Sequence, residues 1–271
     1  MATTRKIALV TGASSGIGKA AAAVLVEAGF EVVGTSRKSA AVKPAAGITF
    51  IDLDVTSDES VAGAVKHVID RFGKIDVLVN NAGIGSIGAA EESSIAQSQA
   101  VFDINVFGVM RMAKEVLPHM RARGHGRIIN LSSVQGFIPA PFMAVYGASK
   151  HAIEGYSQSL DHEVREFGIR SLIVEPAYTR TGFEANSTQP DAPLPVYAEQ
   201  RQIFGRIMAA AVQDGDDPAV VAKVIVAAAT DPKPKLRYTA GTLAGRASVL
   251  RRFAPAGIFD SQIRKMNELA G

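Results

Sequence analysis

A tyrosine and a lysine four residues apart are the pair in this chain best suited to acid–base chemistry. Tyr146 and Lys150 lie in YGASK at the start of a predicted helix, so both side chains fall on one face within reach of each other. An unperturbed tyrosine has a pKa of about 10, too high for efficient proton transfer near neutral pH. We expect the Lys150 ammonium to lower the pKa of Tyr146. The tyrosine could then give a proton to a carbonyl oxygen or take one from an alcohol. The alternative is a half-buried aromatic residue beside a surface lysine.

A glycine-rich turn near the N-terminus is suited to binding phosphate. The first predicted strand runs into TGASSGIG, which places Gly12, Gly16 and Gly18 between a strand and a helix. Glycines let a phosphate approach the backbone closely, and the helix N-terminus offers free N–H groups and partial positive charge. Gly16, Gly18 and Ala21 also fit the looser dinucleotide pattern G-x-G-x-x-G/A. We predict a pyrophosphate site here; the alternative is an incidental glycine turn.

The end of the second predicted strand carries Ser36, Arg37 and Lys38. Dinucleotide-binding folds that prefer NAD place an Asp or Glu here, against the ribose 2′-hydroxyl. An arginine instead suits a 2′-phosphate, by its charge and by its fork of donors. The sequence therefore predicts NADP(H) as the cofactor, and the alternative is a solvated basic turn.

Short β-branched runs alternate with longer helical patterns along the chain, which is typical of a parallel sheet with helices on both faces. Runs such as IALVT and LIVE are apolar almost throughout, as expected of strands buried on both sides. We predict an α/β fold, a Rossmann-type doubly wound sheet of about seven strands, in a single domain over residues 1–271. The strands are predicted at residues 6–11, 31–36, 49–52, 77–80, 127–131, 170–175 and 237–240. The helices are predicted at residues 16–28, 57–72, 98–121, 146–167 and 218–229.

Two segments depart from this alternation. Residues 178–217 contain three prolines and then a helical pattern at 200–212, and we predict that they cover the substrate. A C-terminal extension, about residues 241–271, holds an apolar and basic stretch at 243–253 and a helix-like stretch near 260–269. We expect the stretch at 243–253 to contact the rest of the chain or a second subunit, with a membrane surface as the alternative.

The composition argues against several classes of protein. The chain has no cysteine, which excludes disulfides and thiolate chemistry and suits a reduced, cytoplasmic setting. Its formal net charge is +3 with mostly scattered basic residues, so nucleic acid binding has little support. It contains no run of about 18 apolar residues, so we predict no membrane span. The five histidines show no metal-ligand spacing, so we predict no metal site, and Glu91 and Glu92 look like solvated charge at a helix start.

Five motifs in this order and spacing resemble the short-chain dehydrogenase/reductase family. They are TGASSGIG, NNAG at residues 80–83, Asn105, the serine pair in NLSSVQG, and YGASK, and the resemblance runs from about residue 6 to residue 181. It implies reversible hydride transfer between NADP(H) and a ketone or aldehyde, with Tyr146 as acid and base and the positive oxidised nicotinamide assisting Lys150. It also implies that Lys150 holds the nicotinamide ribose and that Ser133 donates to the substrate oxygen. Asn105 would anchor a water relay, the alternative being a plain buried hydrogen-bonding role. Ser132 is the alternative to Ser133.

The same resemblance extends the cofactor site beyond the glycine turn. It implies that NNAG lies near the adenosine ribose, with Asn80 among the neighbours, and that Asp54 lies near the adenine. A helix-capping or surface role is the alternative for Asp54. Pro176 and Thr181 would lie near the nicotinamide, with Ala177 where the family usually has glycine. The full predicted cofactor set is Gly12, Ser14, Ser15, Gly16, Ile17, Gly18, Ser36, Arg37, Lys38, Asp54, Val55, Asn81, Ala82, Gly83, Tyr146, Lys150, Pro176, Thr179 and Thr181.

The predicted substrate pocket is largely apolar, which favours a hydrophobic or aromatic carbonyl compound. Its walls are predicted to be Val134, Gln135, Phe137, Ile138, Pro139, Phe142 and Met143, with Phe183, Tyr197 and Phe204 from the covering segment. The extended tail resembles the branch with steroid and retinol dehydrogenases and many uncharacterised bacterial reductases. It makes a homodimer through residues 98–121 and 146–167 the expected assembly, with a homotetramer as the alternative. Two other functions stay open, a non-catalytic NADP(H)-binding sensor and an epimerase or dehydratase.

Overall fold

Seven parallel strands form one sheet in the computed structural model, which describes residues 5–183 and 186–269. The strands are β1 (Ile7–Val10), β2 (Glu31–Ser36), β3 (Ile48–Asp52), β4 (Val77–Asn80), β5 (Gly126–Leu131), β6 (Ile169–Pro176) and β7 (Arg237–Ala240). Their order across the sheet is β3-β2-β1-β4-β5-β6-β7, and every neighbouring pair is parallel. The predicted doubly wound α/β fold is confirmed, and each strand begins and ends within one residue of its predicted bounds.

Helices cover both faces of the sheet and create two hydrophobic cores. The helices are α1 (Gly16–Glu27), α2 (Asp58–Phe72), α3 (Ile95–Phe102), α4 (Gly108–Arg123), α5 (Ala144–Val164), α6 (Ala198–Gln213), α7 (Pro218–Thr230), α8 (Thr242–Phe253) and α9 (Ala256–Met266). Side chains of β1 alternate between the cores: Ala8 and Val10 pack with α1 and α7, while Ile7 and Leu9 pack with α2 and α4. Because both faces are covered, the strand is apolar throughout.

The helix predicted at residues 98–121 is not continuous. It consists of α3 and α4 joined by one turn of π-helix, Asp103–Phe107. π-Helical turns are rare and occur most often at functional sites. The sequence pattern could not reveal this turn because an inserted residue leaves the apolar spacing of the flanking helices intact.

The two segments outside the alternation are also helical in part. Residues 178–217 contain α6, and the tail forms α8 and α9. Residues 184 and 185 of the predicted covering segment lie outside the described residues, as do 1–4, 270 and 271 of the predicted domain. None of the helices described here is both long enough and apolar enough to cross a membrane.

The strand order reverses between β1 and β4, which are neighbours in the sheet. In doubly wound sheets ligands bind at such a reversal, in the crevice outside the carboxyl ends of the strands. The residues that follow β1, β4, β5 and β6 therefore face a common space.

Candidate active site

A cleft of about 730 Å³ opens at the carboxyl ends of the strands. It lies at the reversal of strand order, and it gathers residues from most of the chain. The predicted cofactor and catalytic residues that line it are Gly12, Ser14, Ser15, Gly16, Ile17, Ser36, Arg37, Asp54, Val55, Asn81, Ala82, Gly83, Ser133, Tyr146, Lys150, Pro176, Thr179 and Thr181. The fold therefore brings together nearly all of the residues that the sequence motifs singled out.

The turn between β1 and α1 leaves room for a group close to its backbone. Gly12 and Gly16 have φ of 65° and 54°, in the left-handed region that favours glycine. A Cβ on Gly18 would collide with the Gly12 carbonyl and the Asn81 amide. Gly18 thus allows close packing below the turn and does not line the cleft. Ser15 makes no side-chain capping bond to α1, so the first N–H groups of the helix are available to an anion. This cradle fits a pyrophosphate.

The two asparagines of NNAG have different partners. Asn81 donates from its side-chain amide to the carbonyl oxygens of Thr11 and Gly12, at 2.9 and 3.2 Å. Asn80 is buried and donates to Asn130 Oδ1 at 2.8 Å. Asn81 therefore fixes the glycine turn against β4, whereas Asn80 joins β4 to β5. The side chain of Asn80 does not line the cleft, and the expectation that its backbone lies near the cofactor stays a prediction.

The end of β2 lies between two clefts. Ser36 and Arg37 line the main cleft, while Lys38 lines a neighbouring cleft of about 530 Å³ together with Lys19 and Lys43. Ser36 lines both of them. Lys38 is thus set apart from the main cleft, although it adds to the positive charge at this end.

Asp54 shapes the turn that follows β3. Its carboxylate accepts hydrogen bonds from the Thr56 N–H and hydroxyl, at 2.9 and 2.7 Å. These bonds hold the pKa of Asp54 below its usual value. The carboxylate therefore stabilises the turn before α2, whose N-cap is Ser57, and Asp54 also lines the cleft.

Tyr146 and Lys150 lie on the first two turns of α5, and both are buried. The Lys150 ammonium is 5.6 Å from the centre of the Tyr146 ring and donates to the Leu131 carbonyl at 2.7 Å. The ring of Phe183 meets that of Tyr146 edge-on, with centroids 5.5 Å apart. The pair is thus shielded from water on the protein side and reached through the cleft.

The environment of this pair opposes charge on both members. Burial raises the pKa of Tyr146 to about 12, and a hydrogen bond from Ser133 acts in the other direction. Burial lowers the pKa of Lys150 to about 8, against the effect of the Glu154 charge. The expected lowering of the Tyr146 pKa is therefore not found for the protein groups alone, because desolvation by burial is the largest influence on it.

The two serines after β5 face different groups. Ser133 hydrogen-bonds to Tyr146, and its hydroxyl also accepts from the Gln135 N–H at 3.2 Å. Ser132 also lines the cleft, but it is buried and its hydroxyl lies beside Glu154. Since successive residues of a strand point to opposite faces, only one serine of the pair can face the tyrosine. This arrangement supports Ser133 over Ser132.

Asn105 is buried within the π-helical turn, behind the cleft. Its side chain accepts from the Ile84 N–H and donates to the Ile84 carbonyl, both at 2.9 Å. It also donates to the Ser149 hydroxyl at 3.1 Å, next to Lys150. An asparagine is unfavourable inside a helix, and these bonds, which tie the π-helical turn and α5 to the loop after β4, provide its reason.

A buried pair of acids one turn beyond Lys150 was not predicted. Glu154 and Glu175 are both buried, and both form ion pairs with Arg237. Burial raises the pKa of Glu154 to about 7 and also raises that of Glu175. The three residues come from α5, β6 and β7, so no local spacing marks them.

The loop after β4 holds the substrate-covering segment. The Ile87 N–H donates to the Thr188 carbonyl at 3.0 Å, and the Thr188 N–H donates to Gly85 at 2.9 Å. Further along, both the N–H and the hydroxyl of Ser94 donate to the Asp191 carboxylate. The segment therefore lies against the cleft through both backbone and side-chain bonds.

Glu92 is the buried centre of this attachment. Its carboxylate accepts from the Ala89 and Leu194 N–H groups, at 2.9 and 2.8 Å, and forms an ion pair with Arg201 of α6. Burial opposes ionisation, but these partners outweigh it and keep the pKa of Glu92 below its usual value. The prediction that Glu92 is solvated is wrong, because residues 178–217 fold over it.

The apolar wall of the cleft differs from the predicted one. Val134, Gln135, Met143 and Phe183 line it, joined by Tyr178, Met208 and Val212 of the covering segment. The predicted wall residues outside this lining are Phe137, Ile138, Pro139, Phe142, Tyr197 and Phe204. Phe142, with φ of 58°, packs its ring against Phe204 and Tyr197, at centroid distances of 5.7 and 6.2 Å. These rings support the wall from behind.

Several known proteins of similar sequence are named as oxidoreductases. A family model described as short chain dehydrogenase matches residues 6–192. The 3-ketodihydrosphingosine reductase of Bacteroides thetaiotaomicron is 44% identical over 181 residues, which span 67% of this chain and 66% of the relative. Retinol dehydrogenase 8 of Bos taurus is 36% identical over 285 residues, which span 95% of this chain and 88% of the relative.

Solved structures of similar fold include complexes with nicotinamide cofactors. A short-chain dehydrogenase from Streptomyces avermitilis has a TM-score of 0.83 and 36% identity, covering 99% of this chain and 97% of that one. A short-chain dehydrogenase/reductase from Burkholderia phymatum in complex with NAD has a TM-score of 0.75 and 27% identity, covering 86% and 88%. ElxO with NADP bound has a TM-score of 0.73 and 27% identity, covering 89% and 100%. Both forms of the cofactor thus occur among similar folds.

Proposed function

The chain belongs to the short-chain dehydrogenase/reductase family, and we propose that it is an NADP(H)-dependent oxidoreductase that interconverts an apolar ketone or aldehyde and its alcohol. The observation that carries the proposal is the arrangement of Tyr146, Lys150 and Ser133 in one cleft with the glycine turn. A non-catalytic cofactor sensor would have no use for a buried tyrosine hydrogen-bonded to a serine.

Tyr146 is the proposed acid and base. NADPH, when bound, supplies the hydride for reduction of the carbonyl carbon. Tyr146 donates its phenolic proton to the carbonyl oxygen in this direction and takes a proton from the alcohol in the reverse direction. Ser133 hydrogen-bonds to the same oxygen and stabilises the charge that develops there.

The electrostatics of the buried pair set the starting protonation state of Tyr146. Because burial raises the pKa of Tyr146 to about 12, the phenol carries its proton at neutral pH, and donation of that proton needs the phenolate to be stabilised by a nearby cation. Lys150, with a pKa lowered to about 8, is still mostly protonated at neutral pH and stabilises the phenolate that remains. We also assign Lys150 to the nicotinamide ribose, and Asn105 to anchoring a water relay toward Lys150, which its bond to Ser149 supports.

The preference for NADP(H) over NAD(H) is proposed from the charge at the end of β2. Arg37 lines the main cleft and Lys38 lies beside it, where a 2′-phosphate would need cations. The remaining proposed cofactor contacts are those of the glycine turn, of Asp54, Val55, Asn81, Ala82 and Gly83, and of Pro176, Thr179 and Thr181.

The proposed substrate is apolar. Met143, Phe183, Met208 and Val212 present apolar side chains to the end of the cleft that holds Tyr146. Two relatives are named for ketodihydrosphingosine and retinol, which are largely hydrocarbon compounds. An apolar wall with few polar groups suits such a substrate better than a sugar or a charged acid.

We also propose a homodimer in the cytoplasm, formed through α4 and α5, with a homotetramer as the alternative. Phe107, which directly precedes α4, is half exposed and would be covered by a partner. Sedimentation velocity of the wild type and of Phe107→Ser tests the assembly. A smaller particle in the variant supports the contact, and an unchanged particle argues against it.

Steady-state turnover tests the central proposal. Oxidation of NADPH and of NADH is followed with a panel of apolar ketones and aldehydes, for the wild type and for Tyr146→Phe. We expect turnover with NADPH on at least one apolar carbonyl, and its loss in the variant with NADPH binding retained. Cofactor binding without turnover on any carbonyl would favour the sensor, and faster turnover with NADH would contradict the role of Arg37.

A further inference from the structure

Helix α8 carries its apolar side chains on its outer side. Ala244 is buried, whereas Leu243, Val249, Leu250 and Phe253 are 50%, 59%, 44% and 73% exposed. At 3.6 residues per turn these four side chains lie on the side of the helix that faces away from Ala244. A surface helix normally turns its apolar face toward the core. Because this arrangement is reversed, the outer side of α8 is suited to contact with an apolar surface outside the protein.

The net positive charge of the protein comes from the same segment, because basic and acidic residues balance in the rest of the chain. Residues 241–271 contain five of the 29 Lys and Arg but only two of the 26 Asp and Glu, so this segment alone carries the whole formal net charge of +3. Arg246 is exposed on the outer half of α8 among the four apolar side chains, and Arg252, about 80° around the helix from Ala244, is exposed at the edge of that half. We call Leu243, Arg246, Val249, Leu250, Arg252 and Phe253 the outer face of α8.

We propose that the outer face of α8 docks on the surface of a lipid bilayer that contains anionic headgroups. Apolar side chains of a surface helix enter the boundary between headgroups and acyl chains, and arginines of the same face contact the headgroups. Both kinds of side chain are present on this face. The helix is far too short to span the bilayer, so the binding is peripheral and reversible.

Charge distinguishes this partner from two others. A symmetric contact with a second copy would bring Arg246 and Arg252 of one chain close to the same arginines of the other, which is unfavourable. A nucleic acid would satisfy the arginines but would leave Val249, Leu250 and Phe253 exposed to water. An anionic bilayer meets both the charge and the apolar side chains.

The docking face is connected to the rim of the cleft. On the packed side of α8, Arg251 donates from Nε to the Phe137 carbonyl at 3.0 Å and lies over the ring of Phe259 of α9. Phe137 directly follows the turn Val134–Gly136, which begins after Ser133. Docking therefore brings the rim of the cleft close to the lipid phase, where apolar carbonyl compounds concentrate. This last consequence rests on the proposed function, whereas the docking does not.

Co-sedimentation of the full-length protein with vesicles tests the docking without any substrate. One set of vesicles is pure phosphatidylcholine and the other contains phosphatidylglycerol. We expect binding to the anionic vesicles that weakens with salt, and little binding to the neutral ones. Arg246→Gln with Arg252→Gln should weaken partitioning roughly 30-fold, and Phe253→Ser about tenfold.

Matched variants control for a general loss of charge or apolar surface. Lys114→Gln with Lys223→Gln removes two exposed cations elsewhere, and Ile95→Ser removes an apolar side chain that is 75% exposed. These controls should bind as the wild type does, and all variants should retain NADPH binding and melting temperature. Three outcomes would overturn the proposal. They are no binding to the vesicles, equal binding to both kinds of vesicle, and a smaller particle for Phe253→Ser whose vesicle binding is unchanged. Because the readout is lipid binding, it is independent of whether any carbonyl is turned over.

Discussion

The glycine turn and the substrate-covering segment both line one cleft and are held by different kinds of contact. Backbone conformation at Gly12 and Gly16, with main-chain carbonyls accepting from Asn81, holds the turn. The covering segment is held in large part by side chains that are far apart in the chain, such as Glu92 and Arg201. A site built from backbone requires particular residue types at fixed spacing and is visible in a sequence. A site built from distant side-chain pairs is not.

The largest effect is expected from adding a Cβ to Gly18, next to the glycine turn. In Gly18→Ala the new Cβ meets the Gly12 carbonyl and the Asn81 amide, so α1 must shift. We expect a loss of about 3 kcal/mol in the free energy of unfolding, with NADPH binding weakened strongly. Urea unfolding and fluorescence titration measure the two quantities.

Gly63→Ala is the matched control for that substitution. Gly63 lies in α2, and a Cβ there meets no atom within 4 Å among the described residues. We expect a gain of somewhat under 1 kcal/mol from the better helix propensity of alanine. Equal losses in both variants would show that close packing at Gly18 is not the cause.

The next largest effect is expected from breaking the ion pair that holds the substrate-covering segment. Glu92→Gln retains the shape of the side chain but leaves Arg201 without its buried anion. We expect the covering segment to open more easily by about 3 kcal/mol, seen as faster amide hydrogen exchange in α6, with a raised KM for the carbonyl substrate. NADPH affinity should change less than this KM, because Thr179 and Thr181 are the only proposed cofactor contacts in the covering segment.

Glu91→Gln is the control for the covering segment. Glu91 is exposed and accepts a hydrogen bond from the Tyr197 hydroxyl at 2.6 Å. Its loss should leave exchange in α6 and the KM almost unchanged, since exposed polar contacts contribute little. If Glu92→Gln weakened NADPH and substrate binding equally, the glycine turn and the covering segment would not be held independently.

A smaller effect is expected from removing Arg37, the long side chain at the end of β2 that lines the main cleft. Arg37→Ser removes the guanidinium beside the proposed 2′-phosphate position. The ratio of kcat/KM for NADPH to that for NADH should fall by about 30-fold, as expected for a hydrogen bond to a charged group. Lys38→Ser should reduce the ratio less, because Lys38 lines the neighbouring cleft. A larger effect from Lys38→Ser would reverse this assignment.

The smallest effect concerns pH and the buried acids behind the catalytic pair. Burial raises the pKa of Glu154 from its usual 4.5 to about 7, so its neutral form is favoured in the folded protein. The resulting stability is present below pH 4.5 and is lost as the pH rises through 7. From about pH 5 to about pH 8, Glu154→Gln should gain roughly 1 to 2 kcal/mol relative to the wild type. Urea unfolding at several pH values measures this, and a difference that does not change with pH would contradict it.

Prediction from sequence succeeded where a feature depends on neighbours along the chain. Strands such as β1 were predicted to within one residue because runs covered on both faces are apolar throughout. Tyr146 and Lys150 were paired by helical spacing. The π-helical turn at Asn105 was missed, because the side-chain bonds that accompany it reach Ile84 in a separate loop.

The predictions that proved wrong concern burial rather than residue type. Glu92 was predicted to be solvated and is enclosed, and the pKa of Tyr146 is raised by desolvation, not lowered by its lysine. Phe142 and Phe204 were predicted to line the cleft and instead support its wall from behind. In each case the residue was correctly recognised as polar, ionisable or apolar, but its surroundings come from a distant segment.

The sequence by itself determined the parallel sheet, the glycine turn and the set of residues at the carboxyl ends of the strands. These features follow from local backbone geometry and from alternation of residue types, both of which are written along the chain. Only the tertiary structure decided that Ser133 and not Ser132 faces Tyr146, that Glu154 and Glu175 share Arg237, and that α8 turns its apolar side outward. The physical reason is that desolvation and ion pairing depend on which segments meet in space, and that is settled only when the whole sheet and its covering helices are assembled.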